Sequence, residues 1–246
     1  MVVPQPIQNH LKKEALYGCT ICGCPILAFV DFTLKGTQKA DIPGPEAYLP
    51  ENMVAICPSH SLKFQAGEID SSALRQSKNN PFNKVHGESA FTITSNELTV
   101  SLGGCTFINT SRLLVVDDFD IINVRREGQK FLLLDVNFFD RSNKLVAIIS
   151  ENSWSSERSK QGDWMIRYDQ PKYLIIQNER ENVTFNAKIE NSNELRIIAD
   201  GLYYNAQKIR ITPHEILLND REIGTDLKGT VLTNYDVGIR AETLTF

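Results

Sequence analysis

The chain has 246 residues, 41% of them hydrophobic and 23% charged, with a formal net charge of −4. These proportions exclude global disorder, and the negative balance excludes a broad basic surface for gripping nucleic acid, though not a local patch. No stretch approaches the roughly 18 apolar residues that span a bilayer, and MVVPQPIQNHLKKEAL lacks an apolar core of signal-peptide length, so neither membrane segment nor leader is expected.

In chain order, the first stretch that carries chemistry is CTICGC at 19–24, answered by CPSH at 57–60. The chain has five cysteines and four histidines, and these two stretches hold four of the cysteines and one histidine. An odd number of cysteines in tight groups reads as metal ligation in a reducing compartment rather than a disulfide framework, which makes cytoplasm the expected location. Zinc takes four tetrahedral ligands from Cys and His, and a C-x-x-C pair fits one edge of that tetrahedron through a tight turn. Cys19 and Cys22 have this spacing, followed by Gly23 for a turn with positive φ. Cys57 and His60 repeat it, with Pro58 suited to the first turn of a helix over SLKFQAGEI. The expected structural Zn²⁺ site is therefore Cys19, Cys22, Cys57 and His60. A knuckle and a helix N-terminus on one metal make a treble clef, and the 34 residues between Cys22 and Cys57 would hold a β-hairpin. Cys24 competes with Cys22 as ligand, but C-x-x-C is the better geometry. Buried free thiols are the plainer alternative, against which stands the grouping itself.

Residues 71–87, SSALRQSKNNPFNKVHG, are polar and punctuated by Pro81 and Gly87. They predict a zinc module over 1–75, a linker over 76–87 and a separate domain over 88–246. From residue 90 onward, short runs with period two recur, among them FLLLDVNFFD, KLVAIIS, VTFNAKI and ELRIIA, separated by turn-like DRSN, NSN and DG. The fold class is thus mainly β with a small α+β N-terminal module, the β domain being a sandwich or a β-solenoid. Trp154 and Trp164 flank a polar loop and read as caps on the β core, with a ligand contact as the functional alternative. Cys105 reads as core, VVDDFD at 115–120 as a solvated strand end, and His10, His86 and His214 as surface or turn residues.

YGCTICGCPI and PENMVAICPSHSLKFQAGEI together resemble the zinc frame of the HNH nucleases over about residues 8–72. That family's pattern runs C-x-x-C, Asp-His-x-x-Pro, then Asn-Leu-hydrophobic-x-Leu-Cys-x-x-Cys-His. Asn52 matches its central Asn, Cys57 its third zinc cysteine, and His60 stands where the fourth belongs. The resemblance implies a histidine that deprotonates water and a second that holds a catalytic cation. Here residues 25–51 contain no histidine, and Ser61 follows His60 where the cation-binding histidine would stand. Asp31 and Asp41 are the nearest substitutes for the base, with Asn52 completing the site. Carboxylates with pKa near 4 are poor bases for water unless burial raises them.

Residues 1–80 carry seven Lys or Arg and seven Asp or Glu, a neutral balance that gives nucleic-acid binding no support. The β region also looks similar to uncharacterised domains that accompany bacterial HNH-like modules, which implies a bacterial source and an accessory role. The expected function is a zinc-stabilised, non-catalytic interaction protein on a degenerate HNH frame, with a protein as partner. A metal-dependent endonuclease using Asp31 or Asp41 with Asn52 is the first alternative. A structural β protein with a zinc-stapled appendage is the second.

Overall fold

The structure is a computed structural model that describes residues 3–33, 48–86, 91–128, 130–157, 163–169, 172–191, 193–224 and 227–243. Contacts divide the chain into two compact units, Met1–Phe91 and Thr92–Phe246. The first is a small mix of helices and a hairpin, the second is built of strands, and no described helix is long and apolar enough to cross a membrane.

Unit 1 runs α1 (Gln5–Glu14), β1 (Ala28–Asp31), a single 3₁₀ turn (Pro50–Asn52), β2 (Met53–Ile56), α2 (Pro58–Gln65), α3 (Ser71–Asn79) and α4 (Phe82–His86). β1 and β2 pair antiparallel, Ala28 opposite Ile56 and Asp31 opposite Met53. Every residue of β2 is buried. α2 begins where Pro58 presets the first turn, with Cys57 as its N-cap. α3 begins at Asp70, whose carboxylate accepts the Ala73 N–H at 2.8 Å.

The linker expected over 76–87 is a correction. Its described part, residues 76–86, lies mostly in α3 and α4 and is bonded into unit 1. The Phe82 N–H donates to the Thr20 carbonyl (2.9 Å) and the Asn83 amide to the Leu16 carbonyl (3.0 Å), while Thr20 Oγ1 and Ser77 Oγ lie 3.0 Å apart. Two short helices anchored by polar bonds, with Leu74 and Asn83 as their buried side chains, leave no apolar period to read.

The described residues of unit 2 form sixteen strands and no α-helix. They are β3 (Thr99–Leu102), β4 (Cys105–Ile108), β5 (Arg112–Val116), β6 (Phe119–Glu127), β7 (Phe131–Phe139), β8 (Leu145–Ser150), β9 (Ser153–Ser156), β10 (Trp164–Asp169), β11 (Tyr173–Asn178), β12 (Val183–Glu190), β13 (Glu194–Tyr204), β14 (Gln207–Ile211), β15 (Ile216–Leu218), β16 (Arg221–Ile223), β17 (Val231–Thr233) and β18 (Val237–Ala241). One sheet of six has the order β18-β5-β6-β7-β8-β9. The other, of ten, runs β10 to β16 in sequence order and branches at β13. The long β13 keeps β12 on one side over Glu194–Asp200, while its other side takes β3 in parallel over Glu194–Ile197 and β14 antiparallel from Ala199 onward. Phe138 of β7 meets Trp164 of β10 and Phe185 of β12, with ring centroids 5.1 and 6.1 Å apart, so the two sheets share a core. Most neighbours in both sheets are successive antiparallel strands, with β3–β13, β4–β17 and β5–β18 paired in parallel, and among the described residues this is not the stacked-coil order of a solenoid.

Backbone handedness explains how the hairpins close. Gly103-Gly104, Asp117-Asp118, Glu151-Asn152, Asn205-Ala206 and Asn219-Asp220 all have positive φ at both positions. Each is a two-residue loop, as the flanking pairs Leu102↔Cys105, Val116↔Phe119, Ser150↔Ser153, Tyr204↔Gln207 and Leu218↔Arg221 require. Such loops match the right-handed twist of their strands. VVDDFD is one of them: Asp118 pairs with Arg240 and Asp120 with Arg112, both at 2.8 Å. Cys105 is buried, as expected of a core residue.

Three asparagines at positive φ repeat one device. Asn109, Asn152 and Asn219 each donate a backbone N–H to a carbonyl and accept, on Oδ1, the N–H of that same residue. The partners are Leu98, Leu134 and Lys208, with bonds of 2.8–3.0 Å. The side chain thereby imitates one further residue of strand. Asn152, 1% exposed, adds a bond from Nδ2 to the Leu132 carbonyl at 2.8 Å. Asn152→Ala leaves those buried groups unpaired and is expected to cost about 2–3 kcal/mol, lowering Tm by roughly 4–12 °C. The exposed Asn219→Ala is expected to cost less than half as much, because water replaces the lost bond. Thermal melts of the two variants check the order.

Candidate metal centre

The knuckle is local backbone geometry. The Cys19 N–H donates to the Cys24 carbonyl and the Gly23 N–H to the Cys19 carbonyl, both at 2.8 Å, and Gly23 turns the chain at φ +74°. The Ile21 N–H points at the Cys19 sulfur (3.4 Å). The Thr20 N–H bonds the Ala55 carbonyl (3.1 Å), fixing the knuckle to β2. A Cβ at Gly18 would stand 2.2 Å from the Asn83 amide nitrogen and 2.8 Å from the Gly23 carbonyl oxygen, so only glycine lets α4 close over this turn. From the other side, Cys57 directly follows β2 and His60 lies in the first turn of α2.

These two segments bring one ligand atom each from Cys19, Cys22, Cys57 and His60 within 4.8 Å of one another, a cluster that could hold a metal ion. His60 Nδ1 lies 3.2 Å from the Cys57 sulfur and 3.5 Å from that of Cys19, and the Cys22 and Cys57 sulfurs are 3.9 Å apart. Cys19 and Cys57 are buried, while Cys22 and His60 are partly exposed. Cys24 is buried outside the quartet: its N–H bonds the Cys22 sulfur and its thiol lies against Cys57.

Electrostatics give the cluster a preference. Burial pushes the Cys19 thiol well above its ordinary pKa. Hydrogen bonds from the Cys19 and Cys57 thiols hold Cys22 well below its own. The thiols are thus coupled, negative charge on one being stabilised by hydrogen bonds from its neighbours. A cation at the centre supplies the charge that further thiolates need, displacing their protons.

The residues suggested for catalysis fare differently. Asp31 accepts the Thr33 N–H at 2.9 Å and the Thr33 hydroxyl at 2.6 Å, a turn that ends β1. Asp41 lies outside the described residues. Asn52 borders a cleft of 630 Å³ shared with His10, Glu14, Phe32, Arg75 and Lys78. Phe32 follows β1, and its N–H donates to the Asn52 carbonyl at 3.0 Å, so residue 32 stands beside Asn52. The Phe32 ring is buried, with the Arg75 guanidinium 5.4 Å from its centroid. Lys78 pairs with Glu14 and donates to the Pro50 carbonyl at 3.0 Å. α1 and α3 thus bring His10, Glu14, Arg75 and Lys78 to the cleft from outside the motif, and His10 proves to be a cleft residue. No spacing within the sequence signals this convergence.

Comparison with family models, with curated proteins and with solved structures gives no match.

The geometry separates two neighbouring cysteines. Cys22→Ser is expected to lower bound metal well below one equivalent, whereas Cys24→Ser keeps it, since only the former removes a converging ligand atom. Elemental analysis of the two purified variants beside the parent checks this.

Proposed function

We propose that unit 1 is a zinc-stapled treble clef derived from an HNH nuclease frame, that it no longer cuts phosphodiesters, and that the protein serves as a binding partner of another protein. Support for zinc comes from the donor set and its spacing. Ligand atoms about 2.0–2.3 Å from a tetrahedral zinc ion stand roughly 3.5–3.8 Å apart, close to the 3.2–3.9 Å separations here. Support for the treble clef comes from the order of knuckle, hairpin and helix around one cluster. Three cysteine ligands kept for a metal fit a reducing compartment.

The observation that carries the loss of catalysis is Phe32 beside Asn52. Residues 25–51 contain no histidine, and at position 32, beside Asn52, a phenyl ring neither takes a proton nor ligates a metal ion. Asp31 spends its carboxylate on Thr33. General-base catalysis is worth about 10²–10⁴ in rate, and Asn52 alone cannot supply it.

One observation favours a second reading. His10 borders the same cleft as Asn52, so an imidazole from α1 could stand in for the missing base of a metal-dependent endonuclease. Plasmid nicking with Mg²⁺ or Mn²⁺ decides between the two. The expected result is no cleavage above background. Cleavage that needs the cation and disappears in both His10→Ala and Asn52→Ala would establish the second reading. The zinc part is tested separately: one zinc per chain is expected, and well under half an equivalent from zinc-replete cells would overturn it.

A further inference from the structure

Helical spacing builds the cleft around Asn52. His10 and Glu14 stand at i and i+4 on α1, and Arg75, Lys78 and Asn79 at i, i+3 and i+4 on α3, so each helix turns one polar face to the same 630 Å³. The 3₁₀ turn Pro50–Asn52 supplies a third wall. Lys78 ties the three elements together, pairing with Glu14 of α1 and donating to the Pro50 carbonyl at 3.0 Å. Those bonds engage Lys78 and Glu14 and leave the groups beside them without partners. The volume lies in the range of ligand pockets, about 300–1,000 Å³.

Most described arginines reach an oxygen acceptor, as Arg112 reaches Asp120 and Arg240 reaches Asp118. The Arg75 guanidinium reaches none among the described residues and lies 5.4 Å from the centroid of the Phe32 ring. Phe32 is buried, so its ring orients the planar cation and leaves the N–H donors available. Such a fork matches a carboxylate through two parallel bonds. On the turn, Glu51 has no cation among the described residues, and the side-chain amides of Asn52 and Asn79 have no hydrogen bond there. The uncommitted groups are thus one cation, one anion and two amides. That set does not suit a phosphate dianion or a nucleic-acid backbone, since one guanidinium cannot neutralise either and Glu51 repels both. A lone carboxylate would leave Glu51 unanswered. The end of a peptide answers every group: a terminal carboxylate for Arg75, neighbouring peptide groups for the amides, and a basic side chain for Glu51. A carboxylate on an Asp or Glu side chain stands off from the main chain and brings no peptide group directly beside it.

We propose that this cleft takes the C-terminus of a protein partner, its carboxylate seated on Arg75 and a lysine or arginine among its last residues seated on Glu51. The inference rests on the reading of unit 1 as a protein-binding module that does not cut; plasmid nicking judges that reading, and peptide titration judges this one. N-acetylated Gly-Gly-Lys and Gly-Lys-Gly with free carboxylates are titrated at millimolar concentrations into the full chain and followed by ¹⁵N spectra. The side-chain signals of Arg75, Asn52 and Asn79 are assigned by their loss in Arg75→Gln, Asn52→Ala and Asn79→Ala. Controls are the same peptides amidated, N-acetylated Gly-Asp-Lys amide, and inorganic phosphate. The expected result is a saturable shift of these signals with at least one free acid. Amidation and Arg75→Gln are each expected to weaken that binding about tenfold, and Glu51→Gln several-fold. Should Arg75→Gln lose its fold by circular dichroism, the comparison of acid with amide on the parent decides alone. No saturable shift with either acid would overturn the proposal. So would an amidated peptide bound as tightly as the acid, phosphate moving the Arg75 signal as far at equal concentration, or binding unchanged in either folded variant.

Discussion

Three sulfurs and an imidazole converge on one point, and the order of unit 1 follows from that convergence. Among the described residues its apolar core is short of material: Leu11, Ala15, Ile26, Leu27, Phe32, the four residues of β2, Leu74 and Phe91, beside the buried cysteines. A unit of this size buries a modest fraction of its surface, which makes a cross-link between distant segments correspondingly valuable. The knuckle is held to β2 through the Thr20–Ala55 bond, and β2 runs directly into Cys57. Bringing Cys57 to Cys19 and Cys22 therefore positions β2, and β2 in turn aligns β1 by their four-residue pairing. Even the placement of Phe32 against Asn52, at the far end of that hairpin, descends from the same cluster.

What could be read from the sequence is what depends on near neighbours. Cys19 and Cys22, like Cys57 and His60, are close in the chain, so their spacing alone carries the ligand geometry. Pro58 marks the start of α2 for an equally local reason. The strands of unit 2 show in their alternation, as in β12, where Val183, Phe185, Ala187 and Ile189 are buried in turn. The misses are all of another kind. α3 and α4 looked like a linker because polar bonds to Thr20 and Leu16 hold them, and such bonds leave no hydrophobic period. His10 is exposed, as expected, but the sequence does not show that the fold carries α1 so that it borders the cleft beside Asn52. The parallel pairings β13 with β3, β17 with β4 and β18 with β5 join segments far apart in the chain, which no local pattern announces.

The asparagine clasps lie between these cases. Each turn residue is visible as a turn former, since Asn tolerates positive φ better than most. Its partner is not visible. Asn109 reaches Leu98, eleven residues away, by the same pair of bonds that carries Asn152 to Leu134 across eighteen. The device satisfies backbone groups at the ends of strands, where a ladder stops and an N–H would otherwise face the core unpaired. A sheet assembled from short strands has many such ends, and Asn residues at them let β5 to β9 and β13 to β16 stop early at little cost.

In unit 1 the staple and the cleft occupy opposite ends of one strand. Asn52 precedes β2 and Cys57 follows it, five residues apart and so about 16 Å along an extended chain. At that distance the metal's ligands and the residues around Asn52 have no atoms in common. The Cys and His side chains are held by the knuckle and α2; the cleft is finished by α1 and α3. Phe32 is no ligand of the cluster, and its apolar ring adds to the core that the hairpin covers. The cluster and the cleft therefore place separable demands on the chain. Each can vary independently of the other, the cleft being lined by His10, Glu14, Arg75 and Lys78, none of which belongs to the cluster.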